Sequence, residues 1–343
     1  MKPLRHNEPV AADVCVIIAA MDAAATIGRA VSSALNEPRV KEIVIVDDGS
    51  RDDATVRAAQ AADDGTGRVS VVQLDENRGP AHARNVAIAR SKAPFLAILD
   101  ADDFFVSGRF DAMIDGEDWD FVADNIVFVD ERQAGRLPEI PAFHAEPSFV
   151  SFREFVDGNI SRKGTERGEI GFLKPVMRRS FLDRHGLRYD ESLRLGEDFD
   201  LYARALALGA RYKVVRHCGY GAVVRAGSLS GRHRTLDLKH LYEADRGILA
   251  SIRLDATDER ALRRHEHHIR GRYELRNFLD RKAQAGPLRA GLELLAQPSA
   301  LPAVVSGIAS DKWQAVRSRE ILRVHSQVQQ PRFLLQARKV SQK

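Results

Sequence analysis

Three acidic clusters punctuate the first 200 residues of the chain. The densest is the turn ILDADDFF, Ile98 to Phe105, which carries Asp100, Asp102 and Asp103. Three carboxylates this close repel one another unless a cation sits among them. Hard oxygen ligands with no histidine or thiol beside them suit Mg²⁺ or Mn²⁺, which take one or two carboxylates and complete their shell with phosphate oxygens and water. The competing reading is a helix cap, a common use of aspartate, although a cap needs only one of the three. A second pair, Asp47-Asp48, precedes Gly49-Ser50 after the apolar run EIVIV. Two carboxylates there can accept hydrogen bonds from a nucleobase edge or ribose hydroxyls, and Asp48 or Ser50 could equally cap a helix. The third pair, Glu197-Asp198, opens EDFDLYARALAL, where its charge would also favour a helix N-terminus.

The elements that must position these residues follow a simple rhythm. Asp13–Ala20 reads as a strand, Ala23–Leu35 as a helix and Glu42–Val46 as a strand. A helix opens at Ser50, whose hydroxyl is expected to cap it with Asp53 in the first turn. Val69–Leu74, Pro80–Arg90 and Pro94–Leu99 read as strand, helix and strand. Mainly apolar strands alternating with helices imply a parallel sheet covered on both faces. Such sheets bind ligands at the carboxyl ends of their strands, where both aspartate clusters stand. Further on, Asp118–Val129 reads as strands, Pro138–Pro147 as a proline-containing connection, and Gly171–Met177 as a strand. Ser180–His185 reads as a short helix, Glu197–Leu208 as a helix ended by Gly209, and Tyr212–Val215 and Tyr220–Val224 as strands. From Leu236 the chain is mostly helical, polar and arginine-rich, which sets a boundary near Thr235.

Composition bounds the reading. At 343 residues, 44% hydrophobic and 29% charged, the chain is an ordinary globular protein that can bury a sizeable core. Two cysteines, Cys15 and Cys218, make no disulfide framework and fit a reducing, cytoplasmic compartment. The N-terminal MKPLRHNEPVAAD lacks the apolar core of a signal peptide. The longest apolar stretch, Gly291 to Ile308, is broken by Gln297, Pro298 and Pro302 and falls short of a spanning helix. The net charge of +4 hides an asymmetry: 22 basic against 12 acidic residues from Gly231 onward, and 30 against 36 before it. An acidic body suits cation binding, and a basic tail suits an anionic partner or a solvated helical surface.

Beyond these residue-level readings, the blocks VIIAAMDAAATIGRAVSSAL, EIVIVDDGSRDDAT and NRGPAHARNVAIARSKAPFLAILDADD, with the later GEDFDLYARAL, resemble family 2 glycosyltransferases of the GT-A fold. The resemblance covers roughly residues 13 to 235. It implies an α/β fold, a Rossmann-like mixed, mainly parallel sheet flanked by helices, here with a helical C-terminal extension. The expected domains are a tail 1–12, a catalytic domain 13–235 (nucleotide-binding half 13–103, acceptor half 104–235) and a basic helical region 236–343. In that family's pattern Asp47, with Asp48 beside it, meets the uracil ring. Asp100-Ala101-Asp102 is the DXD motif, in which Asp100 contacts the ribose and Asp102 ligates the metal. The pair Glu197-Asp198 resembles the acceptor site, with Asp198 as general base. Ala19 and Asp22 fall at the base-binding end of the first strand, and Arg84 and Asn85 are further donor-site candidates. Where the family ends that strand with proline, an aromatic residue and asparagine, this chain has Ala19-Ala20-Met21-Asp22, which bears on base selectivity.

The sequences GRF after the turn, DWDFVADNI and VVRAGSLSGRH are similar to glucosyltransferases that build succinoglycan-type exopolysaccharide. That similarity implies UDP-glucose as donor and a polyprenyl-diphosphate-linked oligosaccharide as acceptor. The glycine-rich, basic stretch holding Arg225, Ser228, Ser230, Arg232 and His233 could close over a diphosphate or form a solvated loop. Alternatives are a nucleotide-sugar-binding subunit without a base, or a nucleotidyltransferase, although the glycine-rich, lysine-bearing loop of the latter is missing. A dinucleotide-binding enzyme would need GxGxxG after the first strand, where Met21-Asp22-Ala23-Ala24 stands. A dehalogenase-type phosphohydrolase would place its DxD after the first strand, not the fourth. The basic tail, with Leu288, Leu292 and Leu295 at helical spacing, is expected either to meet the inner face of the cell membrane or to pack on the protein itself. Nucleic acid is not expected as a partner, for no aromatic-interleaved basic motif occurs.

Overall fold

The protein is seen in a computed structural model that describes residues 13–116, 118–131, 147–160, 170–224, 234–309 and 332–335. The chain divides into two compact units, Met1–Ala226 with Pro331–Lys343, and Gly227–Gln330.

The first unit begins with β1 (Val14–Ala20), α1 (Ile27–Leu35), β2 (Val40–Asp47), α2 (Ala54–Ala61), β3 (Val69–Gln73), α3 (Pro80–Arg90) and β4 (Phe95–Ile98). These four strands pair in parallel in the order β3-β2-β1-β4. β1 is buried nearly end to end because helices cover both faces of a parallel sheet, so its sequence VCVIIAA shows no alternation. Helix α1 buries Ile27, Ala30, Val31 and Ala34, the i, i+3, i+4, i+7 stripe of an amphipathic helix. Each large aliphatic side chain sequestered this way contributes roughly 1.5–3 kcal/mol.

The unit continues through β5 (Phe104–Phe105), α4 (Arg109–Met113), β6 (Phe121–Asp130), β7 (Ser148–Val150), α5 (Phe152–Gly158), β8 (Val176–Arg178), α6 (Arg179–Arg184), α7 (Glu197–Ala207) and β9 (Tyr212–Val224). These extend the sheet as β4-β8-β6-β9-β5. β8 runs antiparallel to both of its neighbours, and β6 and β9 are parallel. The result is the mixed, mainly parallel α/β sheet expected. A last strand, β10 (Arg332–Phe333), pairs antiparallel with β6. The sequence pattern places these residues in the helical tail. They belong instead to the sheet, where buried Asn125 donates to Leu335 O and accepts from Leu335 N.

Several boundaries differ from expectation for identifiable reasons. The second helix starts at Ala54, not Ser50, because the Ser50 hydroxyl is drawn to Asp47 and the Ala54 amide is met by Asp52 Oδ1 at 2.9 Å. The first helix starts at Ile27. Gly171–Met177 is not one strand: Ile170–Phe172 is a 3₁₀ turn, its Gly171 amide held by Asn159 Oδ1, and Pro175 precedes the short β8. Tyr212–Val215 and Tyr220–Val224 join into one strand. Residues 138–146 lie outside the described residues.

The second unit holds α8 (Thr235–Ser251), α9 (Ala256–Ala285) and α10 (Pro287–Leu295), then a helical stretch Pro298–Ala309 bent from α10 by 104°. Leu238, Leu241 and Ile248 of α8 and Ala261, Leu262 and Ile269 of α9 are buried, as are Asp245 and His265, which pair at 2.8 Å. No single helix among the described residues is long and apolar enough to cross a membrane.

Candidate active site

The carboxyl ends of β1 and β2 meet where Ala20 pairs with Asp47. Asp47 is fully buried. Its Oδ1 accepts from the Ser50 hydroxyl, which in turn accepts from the Asp22 amide at 2.8 Å. Asp47 Oδ2 is buried with no hydrogen-bond partner, so a strong acceptor is left over at this strand end. Asp22 closes the same corner with φ at +48°, uncommon for a residue other than glycine. It is held there by the Ser50 bond and by the Arg51 amide, which donates to its Oδ1 at 3.1 Å. Ala19 is half-buried on β1 beside them.

Asp48 has a different job. Its Oδ1 accepts from the Arg78 amide at 2.9 Å, and its Oδ2 from the Gly79 amide at 2.8 Å and Asn77 Nδ2 at 2.9 Å. Both oxygens thereby brace the turn that launches α3, a structural role beside the expected one toward a donor. Gly49 makes this possible: at φ +69°, a Cβ there would lie 2.5 Å from the Glu76 carbonyl carbon. Asn85 is likewise committed. Its side chain brackets Tyr189, donating to the carbonyl at 2.9 Å and accepting from the amide at 3.0 Å, and so ties down the loop ahead of α7.

Arg84, buried on α3, gathers the chemistry. Its Nη2 lies 3.0 Å from Asp100 Oδ1, and its Nη1 2.8 Å from Glu197 Oε1 and 3.1 Å from Asp198 Oδ1. Opposite it stands Lys174, whose Nζ is 2.8 Å from Asp198 Oδ2 and 3.0 Å from Asp100 Oδ2. Two buried cations thus serve three carboxylates from two of the acidic clusters. Burial would push the Asp100 carboxyl up, but Lys174 and then Arg84 hold it down at about 2. Burial prevails at Glu197 and raises it despite Arg84. Burial works against the Lys174 ammonium, yet Asp100 and Asp198 hold it above its usual range. Lys174 is not among the residues that the sequence motifs single out. Its one signal was a lysine inside the apolar run GFLKPVM, where such a residue is rarely buried unless paired.

In the turn after β4, Ala101 is buried and Asp103 points inward. Asp103 accepts from the Tyr220 hydroxyl and the Val223 amide, both at 2.8 Å. The Tyr220 hydroxyl also accepts from the Asp100 amide at 3.2 Å, which sets the angle of the turn against β9. The Asp102 carbonyl accepts from Arg29 Nη2 at 2.6 Å. Among the described residues, no three histidine, cysteine or carboxylate side chains converge as a metal cage. Asp100 and Asp103 are engaged by the protein, and the DXD pattern assigns the remaining carboxylate of the turn, Asp102, to a divalent ion. One carboxylate completed by phosphate oxygens and water is an ordinary Mg²⁺ set, so the residues fit a metal arriving with a diphosphate. Arg225, Ser228, Ser230, Arg232 and His233 lie outside the described residues.

A mixed sheet of this order, with acidic residues at successive strand ends, defines the class: a glycosyltransferase of the GT-A type. The chain belongs to glycosyl transferase family 2, whose profile matches residues 15–184. It is 60% identical over 306 residues, 89% of either chain, to the succinoglycan biosynthesis protein ExoU of Rhizobium meliloti (strain 1021). Over 102 residues, 29% of this chain and 39% of the other, it is 34% identical to the Escherichia coli protein WfaP, named UDP-Glc:alpha-D-GlcNAc-diphosphoundecaprenol beta-1,3-glucosyltransferase. Its fold is shared with S. aureus TarS 1-349, solved in complex with UDP-GlcNAc, at a TM-score of 0.58 and 21% identity, over 85% of this chain and 79% of that one.

Proposed function

We propose that this glycosyltransferase moves glucose from UDP-glucose, with inversion, onto a polyprenyl-diphosphate-linked oligosaccharide in the assembly of a succinoglycan-type exopolysaccharide. The observation that carries the reading is the reach of Arg84, which brings the donor-side Asp100 and the pair Glu197-Asp198 to one place. Asp47 Oδ2, buried and unpartnered, suits a ring N–H of uracil. The similarity to ExoU and the name of WfaP support the pathway and the donor.

In this reading Asp198 accepts the proton of the acceptor hydroxyl while that oxygen attacks the anomeric carbon. Arg84 and Lys174 take one lone pair from each Asp198 oxygen, and a carboxylate oxygen has a second to offer. The diphosphate leaves from the opposite face, so an α-linked donor yields a β-linkage. Mg²⁺ or Mn²⁺ on Asp102 would neutralise charge gathering on the departing diphosphate. The catalytic unit in this reading is Met1–Ala226 with Pro331–Lys343.

The second unit supplies the route to a lipid-linked acceptor. Leu288, Leu292, Leu295 and Val305 are 62–85% exposed along the bent pair Pro287–Leu295 and Pro298–Ala309, beside exposed Arg281 and Arg289, which share Glu293 and leave a net positive charge. Such a ridge suits the headgroup boundary of an anionic inner leaflet. Radiolabelled transfer with a panel of nucleotide sugars, with and without Mn²⁺, tests the donor: UDP-glucose is expected to be used, only with metal. Preference for another sugar would redirect the assignment, and turnover of none would remove it. For the membrane, Leu288→Glu with Leu292→Glu is expected to abolish binding to phosphatidylglycerol vesicles, and undiminished binding refutes the ridge.

A further inference from the structure

We propose that Lys174 is a positioning residue that fixes the carboxylate of Asp198 for proton transfer and ties it to the donor-side Asp100. The inference rests on the reading of Asp198 as the base. Arg84 by itself divides Nη1 between Glu197 and Asp198 and reaches only one Asp198 oxygen. A carboxylate held at one oxygen can still turn about its Cβ–Cγ bond. Lys174 Nζ holds the other oxygen at 2.8 Å and so sets the plane of the group. The same Nζ holds the second oxygen of Asp100 at 3.0 Å, so each of these two carboxylates has one cation on each oxygen.

The backbone that carries this side chain is itself held. The Lys174 carbonyl accepts from Arg109 Nη2 at 2.5 Å, and Arg109 pairs with Asp124 at 2.8 Å, both side chains fully buried. Pro175 then restricts the backbone, and Val176 enters β8 between β4 and β6. An apolar residue here would leave Asp100 and Asp198 to Arg84 alone, so the ammonium is the group that completes the pairing of both carboxylates. Proton transfer is sensitive to placement: an error near 1 Å costs about 10²-fold in rate.

The test uses the full chain carrying Lys174→Met, Lys174→Gln, Lys174→Arg, Asp198→Asn, and each neutral variant combined with Asp198→Asn. The neutral variants are expected to lose about 10- to 100-fold in kcat for transfer. UDP affinity by calorimetry should change less than about threefold, and Lys174→Arg should recover most of the rate. The discriminating result is the combination: if Lys174 acts through Asp198, adding either neutral variant to Asp198→Asn brings little further loss. A fully additive loss, or a wild-type kcat in Lys174→Gln, overturns the inference and leaves the base assignment standing. Near-normal transfer by Asp198→Asn alone overturns the base assignment instead, and the inference with it. Should Lys174→Met not fold, Lys174→Gln makes the same comparison.

Discussion

Arg84 Nη1 lies 3.1 Å from Asp198 Oδ1, although 114 residues separate them in the chain. The contact joins the helix that follows the third strand to the helix that carries the proposed base. Replacing Arg84 by methionine leaves three carboxylates to one lysine. Removing one partner from a buried charge network costs about 3–5 kcal/mol, and the low end applies because the Asp100 side chain is 33% exposed. Guanidinium denaturation measures it, and a change under about 1 kcal/mol would show that the network does not hold the fold.

Asp47 and Asp48 are adjacent in sequence and separable by experiment. Asp48→Ala strands the buried Gly79 amide and loosens the part-buried Arg78 amide, and a buried unmet donor costs about 1–3 kcal/mol, so stability should drop by about that much. Asp47→Asn should leave stability within about 1 kcal/mol and weaken UDP binding about tenfold, because an orphan acceptor oxygen is lost. Calorimetric titration with UDP, beside melting curves, separates the two. The reverse pattern would exchange their roles.

Truncation after residue 330 removes β10 and both partners of the buried Asn125 amide. A loss of about 2 kcal/mol or more follows, visible as a lower melting temperature. An unchanged melting temperature would mean that this strand adds nothing to the sheet.

The first four strands and the helix at Glu197 were legible because each announces itself locally: an apolar run between turn residues, or an acidic first turn with a glycine at the far end. The acidic clusters were legible for the same reason, since carboxylates at strand ends stand out from apolar neighbours. What each carboxylate does was not. Asp48 looked like a companion of Asp47, yet it serves amides 30 and 31 residues away. Lys174, Tyr220 and β10 take their meaning from partners 24 to 210 residues distant, and no pattern within a helix turn or strand encodes such a meeting.

Cys15 and Cys218 are both almost fully buried, and burial pushes each thiol up to about 12. The thiolate is the reactive form, and at pH 8 the folded protein then holds far less of it than the denatured chain, whose thiols titrate near 8.5. Ellman's reagent at pH 8 should find no fast-reacting thiol in the native protein and two in guanidinium. A rapid native reaction would contradict the burial.

The most direct test of the account is sugar transfer from UDP-glucose to a synthetic lipid-diphosphate-linked acceptor by the wild-type chain and by Asp198→Asn. Loss of general-base catalysis lowers rates about 10²- to 10⁴-fold. The account predicts a loss in that range for Asp198→Asn, with UDP-glucose affinity kept within a few-fold. Transfer by Asp198→Asn within about threefold of wild type would contradict it.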